Sequence, residues 1–257
     1  MVRRSFLTLA IATALLAAYG AVAVADSLIG TDAADTLNGM PAPDELYGEA
    51  GADQLNGFAG NDYLEAGSGD DSIEGASGVD LAIGGTGNDR VDAGSGNDVV
   101  YAGAGDDLVL GGSGRDTLFG QFGDDRLFGG GGRDRLFASG GGDVADGGSG
   151  PDRLTADAGD ATLLGGPGND VILASGGDVT VRGGSGRDRI RTGSGDDKVA
   201  GNGGADGIAT GSGNDEVNVK DGRRDRVQCG AGNDTIVADS FDILSSCENR
   251  AQRLRIR

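Results

Sequence analysis

From Gly30 to Asn218 an aliphatic residue returns at every ninth position, as at Leu37, Leu46, Leu55, Val109, Leu118, Ile190 and Val217. Two of these residues, Ala82 and Ala145, are small, and the stretches between are polar and rich in glycine. An amphipathic helix needs apolar residues three and four apart, and one in nine cannot form that stripe. With each row numbered from Gly30, positions 1 to 6 read as a glycine-rich turn. Positions 7 to 9 read as a short strand whose alternation sends position 8 inward and positions 7 and 9 outward. The rows run 21 times without insertion or deletion. A single row cannot bury its own aliphatic residue, so rows must stack, and the pattern predicts an all-β parallel solenoid forming one elongated domain. Two facing sheets require two rows per turn, giving roughly ten turns and about 50 Å of length at ~4.8 Å per rung.

Position 4 is glycine and position 6 is aspartate in 19 of the 21 rows each, as in GGSGRDTLF at 111–119. The glycines suit turns of positive φ and close approach between neighbouring turns. The aspartates need another reason, because rungs stacked in register bring like charges within a few ångströms. Turn capping by the aspartate side chain accounts for a few rows, not for 19. Carboxylates at fixed spacing among glycine carbonyls, in a chain with no histidine and no cysteine in the rows, describe an all-oxygen site for a hard cation. Calcium, which accepts several oxygens in flexible geometry, suits this set better than magnesium, and zinc lacks its usual ligands.

The rows GGTGNDRVD (84–92), GGSGRDTLF (111–119), GGPGNDVIL (165–173) and GGSGRDRIR (183–191) resemble the hemolysin-type, or repeats-in-toxin, calcium-binding nonapeptide GGxGxDxUx. The resemblance covers nearly everything after the first 25 residues. It implies a right-handed parallel β-roll in which each calcium ion lies between like loops of successive turns, held by position-6 carboxylates and loop carbonyls. On this chain the implied ligands are Asp53, Asp62, Asp71, Asp80, Asp89, Asp98, Asp107, Asp116, Asp125, Asp134, Asp152, Asp170, Asp188, Asp197, Asp206 and Asp215. Partners lie two rows apart, as Asp71 with Asp89 and Asp98 with Asp116, so that two ladders of ions run along the two edges. A core one aliphatic residue wide and a self-repelling acidic chain together predict that calcium binding and folding are one process.

Rows 156–164 and 174–182 place Ala161 and Val179 at position 6 and move the acid to Asp160 and Asp178. Both fall on one edge, which is expected to have weak or empty sites there; Asp143 belongs to an irregular row and has no firm assignment. The opening rows lack the loop glycines, so residues 26–47 read as a degenerate N-terminal cap ahead of the repeats at 48–218. Outward positions turn apolar in the middle of the chain, at Leu110, Phe119, Phe128 and Phe137. Phe119 should stack with Phe137, and Leu110 with Phe128. Strand propensity explains them, and a surface for a glycan, a protein or a second copy is the rival account.

Residues 219–257 break register, gain arginine and contain the two cysteines, Cys229 and Cys247. In an exported chain such a pair reads as a disulfide, here stapling a C-terminal cap, with a metal-binding or redox role as the alternative. The segment resembles the cysteine-containing end of secreted actinobacterial repeat proteins. Residues 1–25 combine Arg3 and Arg4, an apolar run from Phe6 to Ala18 and small residues before Asp26, the pattern of a secretory signal peptide; a retained membrane anchor is the other reading. No other apolar stretch approaches a span.

Without Arg3 and Arg4 the balance of 21 basic against 41 acidic residues, −20, becomes −22. Such a surface repels nucleic acid and favours cations. With no histidine there is no zinc-protease motif and no Ser-His dyad, and no GxSxG elbow occurs. The expected function is that of an extracellular calcium-binding structural protein without catalysis, or else an adhesin using the Phe patch. An ice-binding roll would want a regular outward row of Thr and Asn, which the rows lack, and a carbohydrate-active solenoid would need acids that the repeat already uses.

Overall fold

The computed structural model describes residues 27–247 and 249–250, so the predicted leader at 1–25 lies outside the described residues, as do Arg253, Arg255 and Arg257. Two parallel sheets face each other, one of 13 strands from Ser27–Ile29 to Ile243–Ser245 and one of 14 strands from Thr36–Asn38 to Asn249–Arg250. Apart from Ser95–Gly96, which shares the larger sheet with Arg90–Asp92, consecutive strands alternate between the sheets, and up to Val219 strands pair with those 18 residues on, as Val100 with Leu118 and Val109 with Leu127. The result is a β-solenoid of about 12 turns, longer than the ten expected, because strands before Gly30 and after Val219 extend both sheets. No helix occurs among the described residues, and hence none long and apolar enough to cross a membrane.

The position-8 side chains meet between the sheets; Leu46, Leu55, Leu118, Leu127, Leu136 and Leu154 are fully buried. Middle strands run past the predicted three residues, to Leu108–Gly114 and Lys198–Gly204. Glycine has low strand propensity, but a rung already in place offers its N–H and C=O groups in register, and Gly112 pairs with Gly130 through backbone alone. The longer strand has a second consequence. Alternation that turns position 8 inward carries positions 6 and 1 inward too, so Asp116, Leu118 and Gly120 share the inner face.

Past Val219 a one-residue insertion shifts the pairing offset to 19, as Gly207 with Arg226 and Glu216 with Thr235, and the stack continues. Cys229 and Cys247 form a disulfide across these last rungs. On the outer surface Phe119 and Phe137 stack at 4.6 Å between ring centroids, and Leu110 pairs in register with Phe128. Tyr101 extends the aromatic column, 4.7 Å from Phe119. All four of the apolar residues singled out are half-buried, Phe119 and Phe137 because their stacked rings cover each other.

Candidate metal centre

The row GGSGRDTLF shows how the loop is built. Gly112 and Gly114 have φ of 97° and 135°, and a Cβ on either would lie 1.9 Å from the Gly94 carbonyl oxygen or 1.4 Å from that of Gly96. At position 4 the positive-φ residues are all glycine, whereas position 2 also takes Glu49, Phe58, Ala76, Gln121 and Asn202 at φ of 65–78°. At position 1 the constraint comes from the site itself. A Cβ on Gly111 would lie 2.8 Å from the carbonyl oxygen of Gly129 and 2.9 Å from Oδ2 of Asp116. Gly84, Gly165 and Gly48 repeat the arrangement with Asp89, Asp170 and Asp53. The missing Cβ thus lets one carboxylate oxygen and one carbonyl oxygen of the next turn close on the position-1 backbone.

All sixteen aspartates named above are at most 3% exposed. Their Oδ1 atoms accept hydrogen bonds from the backbone N–H of the position-6 residue one turn earlier, Asp80 to Asp98, Asp98 to Asp116 and Asp134 to Asp152 at 2.8–2.9 Å. Oδ2 is the other half of the story: in every position-6 aspartate from Asp53 to Asp134, and in Asp152, Asp170, Asp188 and Asp206, it is buried without a hydrogen-bond partner among the described residues. Burying an unpaired carboxylate oxygen is costly, and a native chain does not repeat that cost along two edges without a ligand to offset it.

The ladder on one edge is unbroken from Asp44 through Asp62, Asp116 and Asp188 to Asp225 and Asp242. On the other edge it runs from Asp35 to Asp143, stops, and resumes at Val179 with Asp197. Ala161 and Val179 fill the inner position there, buried like the carboxylates they replace. Asp225 and Asp234, beyond the register break, are also fully buried, and Asp143 takes part in the ladder. Counting on from the insertion would have found the first two, since Asp225-Arg226-Val227 and Asp234-Thr235-Ile236 repeat the pattern of acid, polar residue and aliphatic.

Burial is the main force on the acidities. It pushes Asp89, Asp125 and Asp152 up to about 7, and Asp80, Asp98, Asp116, Asp188 and Asp206 up to about 6. The backbone N–H donated to each carboxylate opposes this, and the neighbouring carboxylates of the ladder add to it. Near neutral pH an ionised ladder and this packing are in conflict unless protons or cations neutralise it. Among the described residues no three His, Cys, Asp or Glu side chains converge, so a cation held here would need loop carbonyls as well as carboxylates. A hard divalent ion that accepts backbone oxygens fits this donor set.

Fold and donor set together define an all-oxygen, cation-binding β-roll. The sequence is matched by the RTX calcium-binding nonapeptide repeat family in overlapping segments from residue 29 to residue 217 and again at 221–242, and the chain belongs to that family. It is a calcium-binding structural repeat protein. No curated protein matches the sequence. A solved structure, a hyperactive, Ca2+-dependent, β-helical antifreeze protein from an Antarctic bacterium, resembles it at 22% identity and a TM-score of 0.41, over 84% of this chain and 82% of the other.

Proposed function

We propose that the chain is a secreted structural protein that folds around two ladders of calcium ions, one ion between each pair of successive complete loops, with no catalytic role. The observation that carries this is the row of buried, unpartnered Oδ2 atoms packed against the position-1 residues and the loop carbonyls of the next turn. Each ion would supply the positive charge that lets neighbouring carboxylates stay ionised while buried. Asp53 to Asp134, Asp152, Asp170, Asp188, Asp197, Asp206 and Asp215 are the proposed side-chain ligands. The Cys229–Cys247 disulfide supports an oxidising, extracellular setting. A second reading, adhesion through the outer surface, is favoured by the aromatic column of Tyr101, Phe119 and Phe137.

The deciding experiment is a calcium titration of residues 26–257 followed by far-ultraviolet circular dichroism and calorimetry. A cooperative gain of β signal with many ions bound is the expected result. An identical spectrum in chelator and in millimolar calcium would reject coupled folding.

A further inference from the structure

The outer face of the 13-stranded sheet departs from the rest of this acidic molecule. Its position-7 column runs in register through Arg135, Arg153, Val171, Arg189, Gly207 and Arg226. The parallel position-9 column carries Phe119, Phe137, Thr155, Leu173, Arg191 and Ala209. Between Leu81 and Ser245 neither column contains an aspartate or glutamate, whereas the opposite sheet displays Asp92, Asp146 and Glu216 outward.

The five guanidinium groups are exposed, and none meets a carboxylate among the described residues. Gly207 and Ala209 leave the strand Gly207–Ser212 almost bare, which opens a shallow groove. Arg189 and Arg191 stand on one side of it and Arg226 on the other, with Leu173 and Ile243 supplying apolar surface.

We propose that this face binds an extended acidic polysaccharide lying along the axis of the roll. Arg153, Arg189 and Arg226 are each two rungs apart, about 9.6 Å, close to the span of two sugar units in an extended chain. A polymer with one acidic group per disaccharide meets the three in turn, each guanidinium offering a two-pronged donor to a carboxylate or sulfate. Apolar ring faces of the sugars suit Leu173, Ile243 and the bare strand. Nucleic acid fits less well. Its phosphates follow one another at about 3.4 Å along each strand, and a duplex overhanging the face would meet the exposed Asp160, Asp178 and Asp196 of the interrupted edge.

The inference rests on the proposed calcium-loaded roll only for its fold. The test uses residues 26–257 in calcium, with hyaluronate oligosaccharides as probe and neutral dextran, phosphatidylserine vesicles and duplex DNA as comparisons, read by titration calorimetry. Hyaluronate binding that weakens with salt and is absent for dextran is expected. The triple variant R153Q/R189Q/R226Q should lose tenfold or more in affinity, on the order of 0.5 kcal/mol or more per exposed pair converted to a ratio. The variant R115Q/R133Q/R187Q, changed along the unbroken edge, should bind as before. No binding, equal losses in both variants, or a preference for vesicles or DNA overturns the proposal. Circular dichroism on each sample keeps the readings separate: a variant that does not fold is replaced by R226Q alone, with a smaller loss expected. A chain that is folded in chelator and still binds hyaluronate would sink the calcium reading and leave this one standing.

Discussion

The backbone N–H of Asp98 donates to Oδ1 of Asp116, 2.9 Å away and one full turn along the roll, while Oδ2 of Asp116 is buried beside Gly111 with no partner among the described residues. The two oxygens of one carboxylate therefore have different surroundings: one holds adjacent turns together, and the other is the atom proposed to meet a cation. Asp116→Asn keeps an acceptor for the Asp98 N–H and removes the charge. Calorimetry is expected to show one or two fewer ions bound, with a Tm in saturating calcium only modestly lower. Asp116→Ala also strands the Asp98 N–H and should cost a further 1–3 kcal/mol or so. Equal effects of the two substitutions would contradict this division of labour.

Glycines that look alike in sequence should respond very differently. Gly114→Ala must place a Cβ on the Gly96 carbonyl oxygen and hold alanine at a φ of 135°, so a loss of more than about 2 kcal/mol is expected. Gly140 has nothing within 4 Å of its Cβ direction, and Gly140→Ala should stay within about 0.5 kcal/mol of the parent. Thermal melts in calcium measure both.

The pH response of the metal-free chain follows from the raised acidities. An ordinary aspartate titrates near 3.8, while burial takes Asp89, Asp125 and Asp152 to about 7 in the folded chain. The folded state therefore holds more protons across that window, so stability in chelator is greatest below about pH 4 and falls as pH rises towards 7. Calcium competes with those protons, and its apparent affinity should rise over the same range with measurable proton release. Circular dichroism in chelator from pH 4 to 8 checks the first part. Stability that increases with pH in chelator would refute it.

The two edges should form two classes of site. Position 1 on the unbroken edge is glycine in every row but that of Ala93, whereas the interrupted edge keeps Gly30, Gly48, Gly84 and Gly120 but has Ala66, Ala102, Ala138, Ala156, Ala174, Thr192 and Thr210 in its other rows. A Cβ at this position lies close to the Oδ2 proposed to meet the cation, as the surroundings of Gly48 and Gly84 show. A biphasic calcium isotherm is expected. Restoring the ladder with Ala161→Asp and Val179→Asp should add bound ions and raise the Tm in calcium without adding β signal in chelator, because two more buried carboxylates then lack a partner. A gain under both conditions would mean that the added carboxylates need no ion.

Much of this protein is legible in the nine-residue row. One aliphatic at position 8 excludes helix, glycines at positions 2 and 4 mark a turn of unusual backbone, and the recurring aspartate points to a hard cation. These are local properties, written in each row and repeated until they cannot be chance. What the row does not state is which residues become neighbours across 18 positions. Pairing between rungs lengthened the strands through glycines of poor propensity, drew Asp116 to the same inner face as Leu118, and aimed its carboxylate at the backbone of Asp98. The same pairing carried Asp225 into the ladder across a one-residue insertion and gathered Arg153, Arg189 and Arg226 into one column free of acids. Composition decided that the chain would turn, stack and attract cations, because those tendencies reside in single residues. The register of stacked backbones decided where the charges lie, because hydrogen bonds between rungs exist only once the roll has closed.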